Sequence, residues 1–224
     1  MDLILYTADR SRGLMIAWLL EELGVPYRTR CLDLASGEHK DLAYRAVHPL
    51  GSVPALVIDG EPMVESLAMA LFLADACSAG ELAPLPGHPD RSRYLQWMVY
   101  ATATVEPKLA APFVRSLGVP VEDWPEVSTD AERRSFSEVL GPLAASFPRG
   151  HILPSGFSAV DLLLGVELHW ADQVGLLAPE SPARSYVSRL RARPSWARLV
   201  DRSPALSTHV LEPPVRGGRG TSQA

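Results

Sequence analysis

Apolar positions fall in short runs separated by glycine, proline and charge, and their spacing changes character near residue 80. Leu3–Tyr6 is a brief apolar run that ends in a polar turn, Thr7-Ala8-Asp9-Arg10-Ser11-Arg12. Leu14, Ile16, Ala17, Leu19, Leu20 and Leu23 predict a helix, which Gly24 stops, with Pro26 two residues beyond. Tyr27–Leu32 alternates in strand fashion. Strand, helix and strand within about 30 residues make a βαβ unit, whose strands run parallel with a right-handed crossover.

Residues 35–46 are polar, with room for a short helix before His48-Pro49-Leu50-Gly51. Ala55–Ile58 and Pro62–Val64 flank Asp59-Gly60, and two short runs about that dipeptide predict a β-hairpin. Leu67, Ala70, Leu71, Leu73 and Ala74 then recur at helical spacing, with Glu65-Ser66 at the amino end of a helix that runs to about Ala79. The order through residue 79 is β-α-β-α-β-β-α.

Residues 80–89 contain three prolines and two glycines, the composition of a linker. Everything after them reads as helical. Asp90 is placed to cap a long helix through Tyr94, Leu95, Trp97, Met98 and Ala101 to about Ala111, with Pro107 and Pro112 as points of kinking or breaking. Pro120–Val127 reads as a loop, and Ser128–Phe147 as a second helix that Gly141-Pro142 bends or divides. Ser158 and Asp161 are spaced as a capping box before the most apolar helix, with Asp in place of the usual Glu or Gln. Asp161 is therefore expected to be structural. The expected organisation is an α/β domain over residues 1–79, a linker over 80–89 and an all-helical domain over 90–211. The Pro/Gly/Arg-rich residues 212–224 are expected to be a disordered tail.

The formal net charge of −5 gives no support to non-specific nucleic-acid binding. Before residue 80 there are 11 acidic and 6 basic side chains, against 15 of each afterwards, so Arg10 and Arg12 stand out against an acidic background. Two cysteines, Cys31 and Cys77, make neither a disulfide framework nor a metal motif and read as reduced, core-type residues. The amino terminus lacks a basic region and cleavage site, and no apolar stretch reaches transmembrane length, so a soluble cytoplasmic protein is expected. His151, His169 and His209 show no metal spacing.

Pro54 opens a strand without an N–H to donate, so Val53 can offer its own N–H and C=O to an extended ligand lying alongside. Glu65-Ser66 sits where free backbone N–H groups and the helix dipole suit a bound carboxylate. Joined at this spacing behind a βαβ pattern, Val53-Pro54 and Glu65-Ser66 resemble the glutathione-binding site of thioredoxin-fold glutathione transferases. The resemblance extends to Ser11-Arg12 leading into Trp18-Leu-Leu-Glu-Glu-Leu-Gly, to the Ser158–Asp161 box and to Tyr186–Ser195.

The resemblance implies a thioredoxin-like domain followed by a helical one, and a cis Val53-Pro54 bond. It also implies that Val53 and Pro54 position the peptide and that Glu65 and Ser66 hold its γ-glutamyl end. His39 and Lys40 are implied against the glycyl carboxylate. His48 departs from the family's usual Asn before Pro-x-Gly. Glutathione chemistry needs a thiolate, stabilised by a hydrogen-bond donor or positive charge. The donor is expected after the first strand, where Tyr6, Thr7, Ser11 and Arg12 lie. Ser11 is the first candidate and Tyr6 the second, with N-cap and strand-end packing roles as their structural alternatives. No cysteine lies in this turn, which departs from the cysteine-type pattern. Trp97, Met98, Tyr100, Thr104 and Phe113 are candidates to line a second-substrate pocket. The implied assembly is a homodimer, with Met69 and Phe72 near the two-fold axis. The implied reaction conjugates glutathione, as co-substrate and without a metal, to a small hydrophobic electrophile. Alternatives on the same scaffold are isomerisation, dehalogenation, disulfide reduction or glutathione binding without turnover.

Overall fold

Leu3, Leu5 and Thr7 are buried while Ile4 and Tyr6 are half-buried, the alternation of a strand with one face on the core. This strand, β1 (Leu3–Thr7), is central in a four-stranded sheet ordered β2-β1-β3-β4. The computed structural model describes residues 1–118 and 129–202. The expected loop at 120–127, the end of the helical domain at 211 and the tail from 212 lie outside the described residues.

β2 (Arg28–Cys31) runs parallel to β1, pairing Thr7 with Cys31. β3 (Ala55–Ile58) is antiparallel to β1, with Tyr6 opposite Ala55, and β4 (Glu61–Met63) is antiparallel to β3. Asp59 and Gly60, at φ 51° and 94°, make the tight turn between them. α1 (Gly13–Leu23) and α3 (Ser66–Cys77) pack together, and α2 (Leu42–Arg45) follows a 3-10 turn at Glu38–Lys40. The N-terminal part is thioredoxin-like.

α1 is buried from Gly13 to Glu21, because one side meets the sheet layer and the other meets the helical half. Each fully buried Leu or Ile there contributes about 1.5–3 kcal/mol relative to exposure. Gly24 closes the helix in the left-handed conformation, its N–H returning to Glu21. On α3, Met69, Ala70, Leu73 and Ala74 face inward. Met69 is thus withdrawn into the core of its own chain, whereas Phe72 is 37% exposed.

The helical half is built on α7 (Ala159–Gln173), buried without interruption from Ala159 to Ala171. Its capping box is present: Asp161 accepts from the Ser158 N–H at 2.8 Å, and also from the Ile152 N–H at 2.8 Å and the Tyr186 hydroxyl at 2.6 Å. Around it lie α4 (Arg91–Tyr100), α5 (Glu106–Ser116), α6 (Thr129–Leu140), α8 (Pro182–Arg191) and α9 (Pro194–Arg202). The halves are joined where α1 meets α9. The Trp18 Nε1 donates to Ser195 Oγ at 3.0 Å, its ring stands edge-on to Trp196, and Glu22 pairs with Arg193.

Three expectations are corrected. Cys31 is exposed, because β2 is an edge strand whose four residues all lack cover. Asp90 precedes α4 without capping it, since its carboxylate instead accepts from the Ser155 N–H at 2.8 Å and pairs with Arg93. The long helix is interrupted just ahead of Pro107, as expected, in a π turn at Ala101–Val105, but it runs on past Pro112, which is carried inside α5.

Candidate functional site

Sheet topology gathers the site. β1 and β4 finish, and antiparallel β3 begins, at the same end of the sheet. The turn after Thr7, the Val53-Pro54 dipeptide before Ala55 and the Glu65-Ser66 pair after Met63 therefore share that end. The Val53-Pro54 peptide bond is cis. Among the described residues, no backbone hydrogen bond engages Val53.

The loop before Val53 is held from two sides. Lys40 Nζ donates to the carbonyls of Leu50 at 3.3 Å and Gly51 at 3.1 Å, using two of its three protons. Tyr44, on α2, donates its hydroxyl to the Ser52 carbonyl at 2.5 Å. Gly51 sits at φ 58°, and a Cβ there would come within 2.2 Å of the His39 carbonyl, so only glycine lets these loops close on each other. His39 and Lys40 are thus brought beside the segment that leads into Val53. Nδ1 of His39 is buried without a hydrogen-bond partner among the described residues.

Glu65 holds φ 71° and ψ 104°, an uncommon conformation for a residue with a Cβ, and is exposed at the amino end of α3. Ser66 opens that helix, and no side-chain cap occupies its first turn. A twelve-residue helix with a free amino end presents several N–H groups together. That arrangement suits a carboxylate, with the Glu65 carboxylate beside it for an ammonium group.

The turn after β1 is a closed hydrogen-bond unit. Ser11 Oγ donates to the Ala8 carbonyl at 2.7 Å and accepts from the N–H groups of Ala8 at 3.3 Å and Gly13 at 3.2 Å. Thr7 Oγ1 lies 3.2 Å away. Ser11 therefore shapes the start of α1, and its hydroxyl must turn from Ala8 to meet a ligand. Tyr6 points to the opposite sheet face, as residues adjacent to Thr7 must. Its ring lies 5.5 Å from that of Tyr44, with Arg30 above it. The structure thus separates the two donor candidates onto different faces.

Arg12 reaches out of this turn to Glu106, the first residue of α5. Of the second-substrate candidates, Met98 is fully buried, Tyr100 donates to the Val139 carbonyl at 2.8 Å, and Phe113 packs on Trp170. These three serve the packing of the helical half, while Trp97 and Thr104 are half-buried. His169 is buried against Trp196 rather than near a ligand cluster, and among the described residues no His/Cys/Asp/Glu group is arranged to hold a metal.

Sequence reasoning misses Tyr44 and Glu106. Tyr44 is visible only as one aromatic in a polar stretch, and nothing local ties Glu106 to Arg12, 94 residues earlier.

Residues 12–76 match the sequence profile of the glutathione S-transferase, N-terminal domain. The chain is 36% identical to glutathione S-transferase F9 of Arabidopsis thaliana over 197 residues, 81% of this chain and 88% of that one. It is also 36% identical to maleylacetoacetate isomerase of Rhizobium meliloti, over 103 residues that span about half of each protein, 46% and 47%. A sphingomonad glutathione S-transferase solved in complex with glutathione superposes with a TM-score of 0.74 at 26% identity, over 90% of this chain and 98% of that one.

Proposed function

The chain belongs to the glutathione S-transferase family, and from that premise we propose that it conjugates the glutathione thiolate to a small hydrophobic electrophile. The observation that carries this reading is the shared sheet end, where Val53's free backbone, the amino end of α3 and the Ser11 turn lie together. Val53 pairs with the backbone of the cysteinyl residue. The γ-glutamyl carboxylate takes the Ser66 end of α3, and its ammonium takes Glu65. His39 and the remaining Lys40 proton face the glycyl carboxylate.

The thiol must lose its proton, which passes to solvent, before it reacts. Ser11 supports this by turning its hydroxyl from Ala8 to the sulfur while still accepting from Gly13 N–H. The thiolate then forms the S–C bond and the leaving group departs with its electron pair. The glutathione transferase relatives favour conjugation. The similarity to maleylacetoacetate isomerase favours a second reading, in which the thiolate adds to the substrate and is expelled again, so that glutathione is not consumed. A cytoplasmic homodimer, with Phe72 on its contact face, completes the proposal.

The test is an ultraviolet titration of thiolate absorbance for glutathione bound to wild type, Ser11→Ala and Tyr6→Phe. A lowered thiol midpoint in wild type, lost in Ser11→Ala alone, is expected. Loss only in Tyr6→Phe moves the donor to the other sheet face. No lowered midpoint in wild type rejects the transferase reading.

A further inference from the structure

Arg12 is held twice. Its carbonyl accepts from the Met15 N–H at 3.0 Å in the first turn of α1, and its guanidinium pairs with Glu106 of α5. The residue before it is Ser11, whose hydroxyl organises the Ala8–Gly13 turn. An ion pair from the helical half thus ends directly behind the proposed thiol donor.

Glu106 is a costly partner for this purpose. The residue is 8% exposed, and burial pushes its carboxyl up, with Arg12 opposing. Glu167, on α7, is wholly buried, and among the described residues neither of its carboxyl oxygens has a hydrogen-bond partner. Burial first, and Glu106 second, push it well above the usual carboxylate range. Glu167 thus lies in the field of both Glu106 and Arg12, while the Arg12 side chain is 54% exposed. An ion pair with one end in solvent contributes little to stability. Stability alone does not account for the arrangement.

The direction of Glu106 has its own device. The π turn at Ala101–Val105 is closed by the Glu106 N–H on the Ala101 carbonyl. An extra residue in the turn rotates the downstream helix by about 100°, and such turns recur at functional sites. In an unbroken α-helix Glu106 would be swung off the face that meets Arg12.

We propose that Glu106 is a positioning residue for the thiol site, acting through Arg12 to hold the Ala8–Arg12 turn and Ser11 in place. The inference rests on the transferase reading of that site.

Glutathione thiolate absorbance against pH, glutathione affinity and thermal unfolding are measured on wild type, Glu106→Gln, Arg12→Met and the double variant. Glu106→Gln is expected to raise the midpoint of the bound thiol by about one pH unit, a tenfold loss of ionisation. Affinity, set by Val53, Glu65 and Ser66, should change less than about twofold. Arg12→Met should match it, and the double variant should go no further than either single change. Glu106→Asp, which keeps the charge on a shorter stem, should recover part of the loss. Arg12 is the more exposed partner, so its variant reports even where a Glu106 change fails to fold. A purely structural pair would lower the unfolding temperature and leave the thiol midpoint in place, overturning the proposal. A lowered midpoint in Glu106→Gln would overturn it too, because it would mean that a freed Arg12 acts by charge. Wild type without a shifted thiol would reject the transferase reading, and this inference with it.

Discussion

The hydroxyl of Tyr44 donates to the carbonyl of Ser52 at 2.5 Å, tying α2 to the residue just before Val53-Pro54. Burial, and then neighbouring Tyr6, push the phenol up to about 12, so it remains a donor across the working pH range. Tyr44→Phe keeps the ring packed at a tilt against Tyr6 and removes only that bond. A neutral hydrogen bond is worth about 0.5–1.5 kcal/mol, so glutathione affinity should fall roughly 2–10-fold. Calorimetric titration checks this, with the thiol midpoint expected to stay where it is. An unchanged dissociation constant would show that the Ser52 carbonyl does not set the Val53 backbone.

Asp161 accepts from two backbone N–H groups and from the hydroxyls of Ser158 and Tyr186, all in a fully buried site. Ser158→Ala removes one cap and should cost about 1 kcal/mol in denaturant unfolding. Asp161→Asn presents an amide N–H₂ to donors and should cost about 2–5 kcal/mol. Equal and small effects of the two changes would mean that α7 does not depend on this box.

His169 lies beneath Trp196, and burial, with Arg191 adding, lowers its pKa to about 4. An unfolded histidine takes a proton near 6.5, so between about pH 6.5 and 4 the unfolded chain holds the extra proton. Stability should therefore fall as pH falls through that window, by an order of about 3 kcal/mol at its lower end. His169→Gln should flatten this slope in unfolding curves collected from pH 7 to 4. An unchanged slope would assign acid sensitivity elsewhere.

Features set by neighbours in sequence are legible without the structure. Asp59-Gly60, Gly24, Ser158–Asp161 and Glu65-Ser66 each act within a turn of themselves, and each occupies its expected place. The features that escape depend on elements remote in sequence. Lys40 reads as a ligand contact, yet two of its protons hold the Leu50 and Gly51 carbonyls, a clasp that exists only once two loops meet. Cys31 reads as a core residue because alternation marks a strand but not whether a helix covers it. Met69 and Phe72 differ in fate because α3 turns one face to α1, which composition cannot show. The Arg12–Glu106 pair needs both the domain seam and a π turn, and proline spacing announces only a break.

Gly13 offers a test of how tightly the Ala8–Gly13 turn, the proposed thiol site, is built. A Cβ there would lie 1.7 Å from Thr7 Oγ1 and 3.1 Å from Ser11 Oγ. Thr7 is buried and β-branched, so its hydroxyl has little room to yield. Alanine in a helix is favoured over glycine by about 1 kcal/mol, but here the collision should outweigh that gain. Gly13→Ala should lower the unfolding temperature and move the bound glutathione thiol toward its free-solution midpoint, since the start of α1 must shift away from β1. Gly24→Ala is the comparison. Nothing lies within 4 Å of its added Cβ, so it should cost only the left-handed backbone strain, about 1–2 kcal/mol, and leave the thiol midpoint alone. If Gly13→Ala proved more stable than wild type with the thiol chemistry intact, the close approach of Thr7 to α1 would not be a constraint on the site, and the role of this turn in placing Ser11 would fall with it.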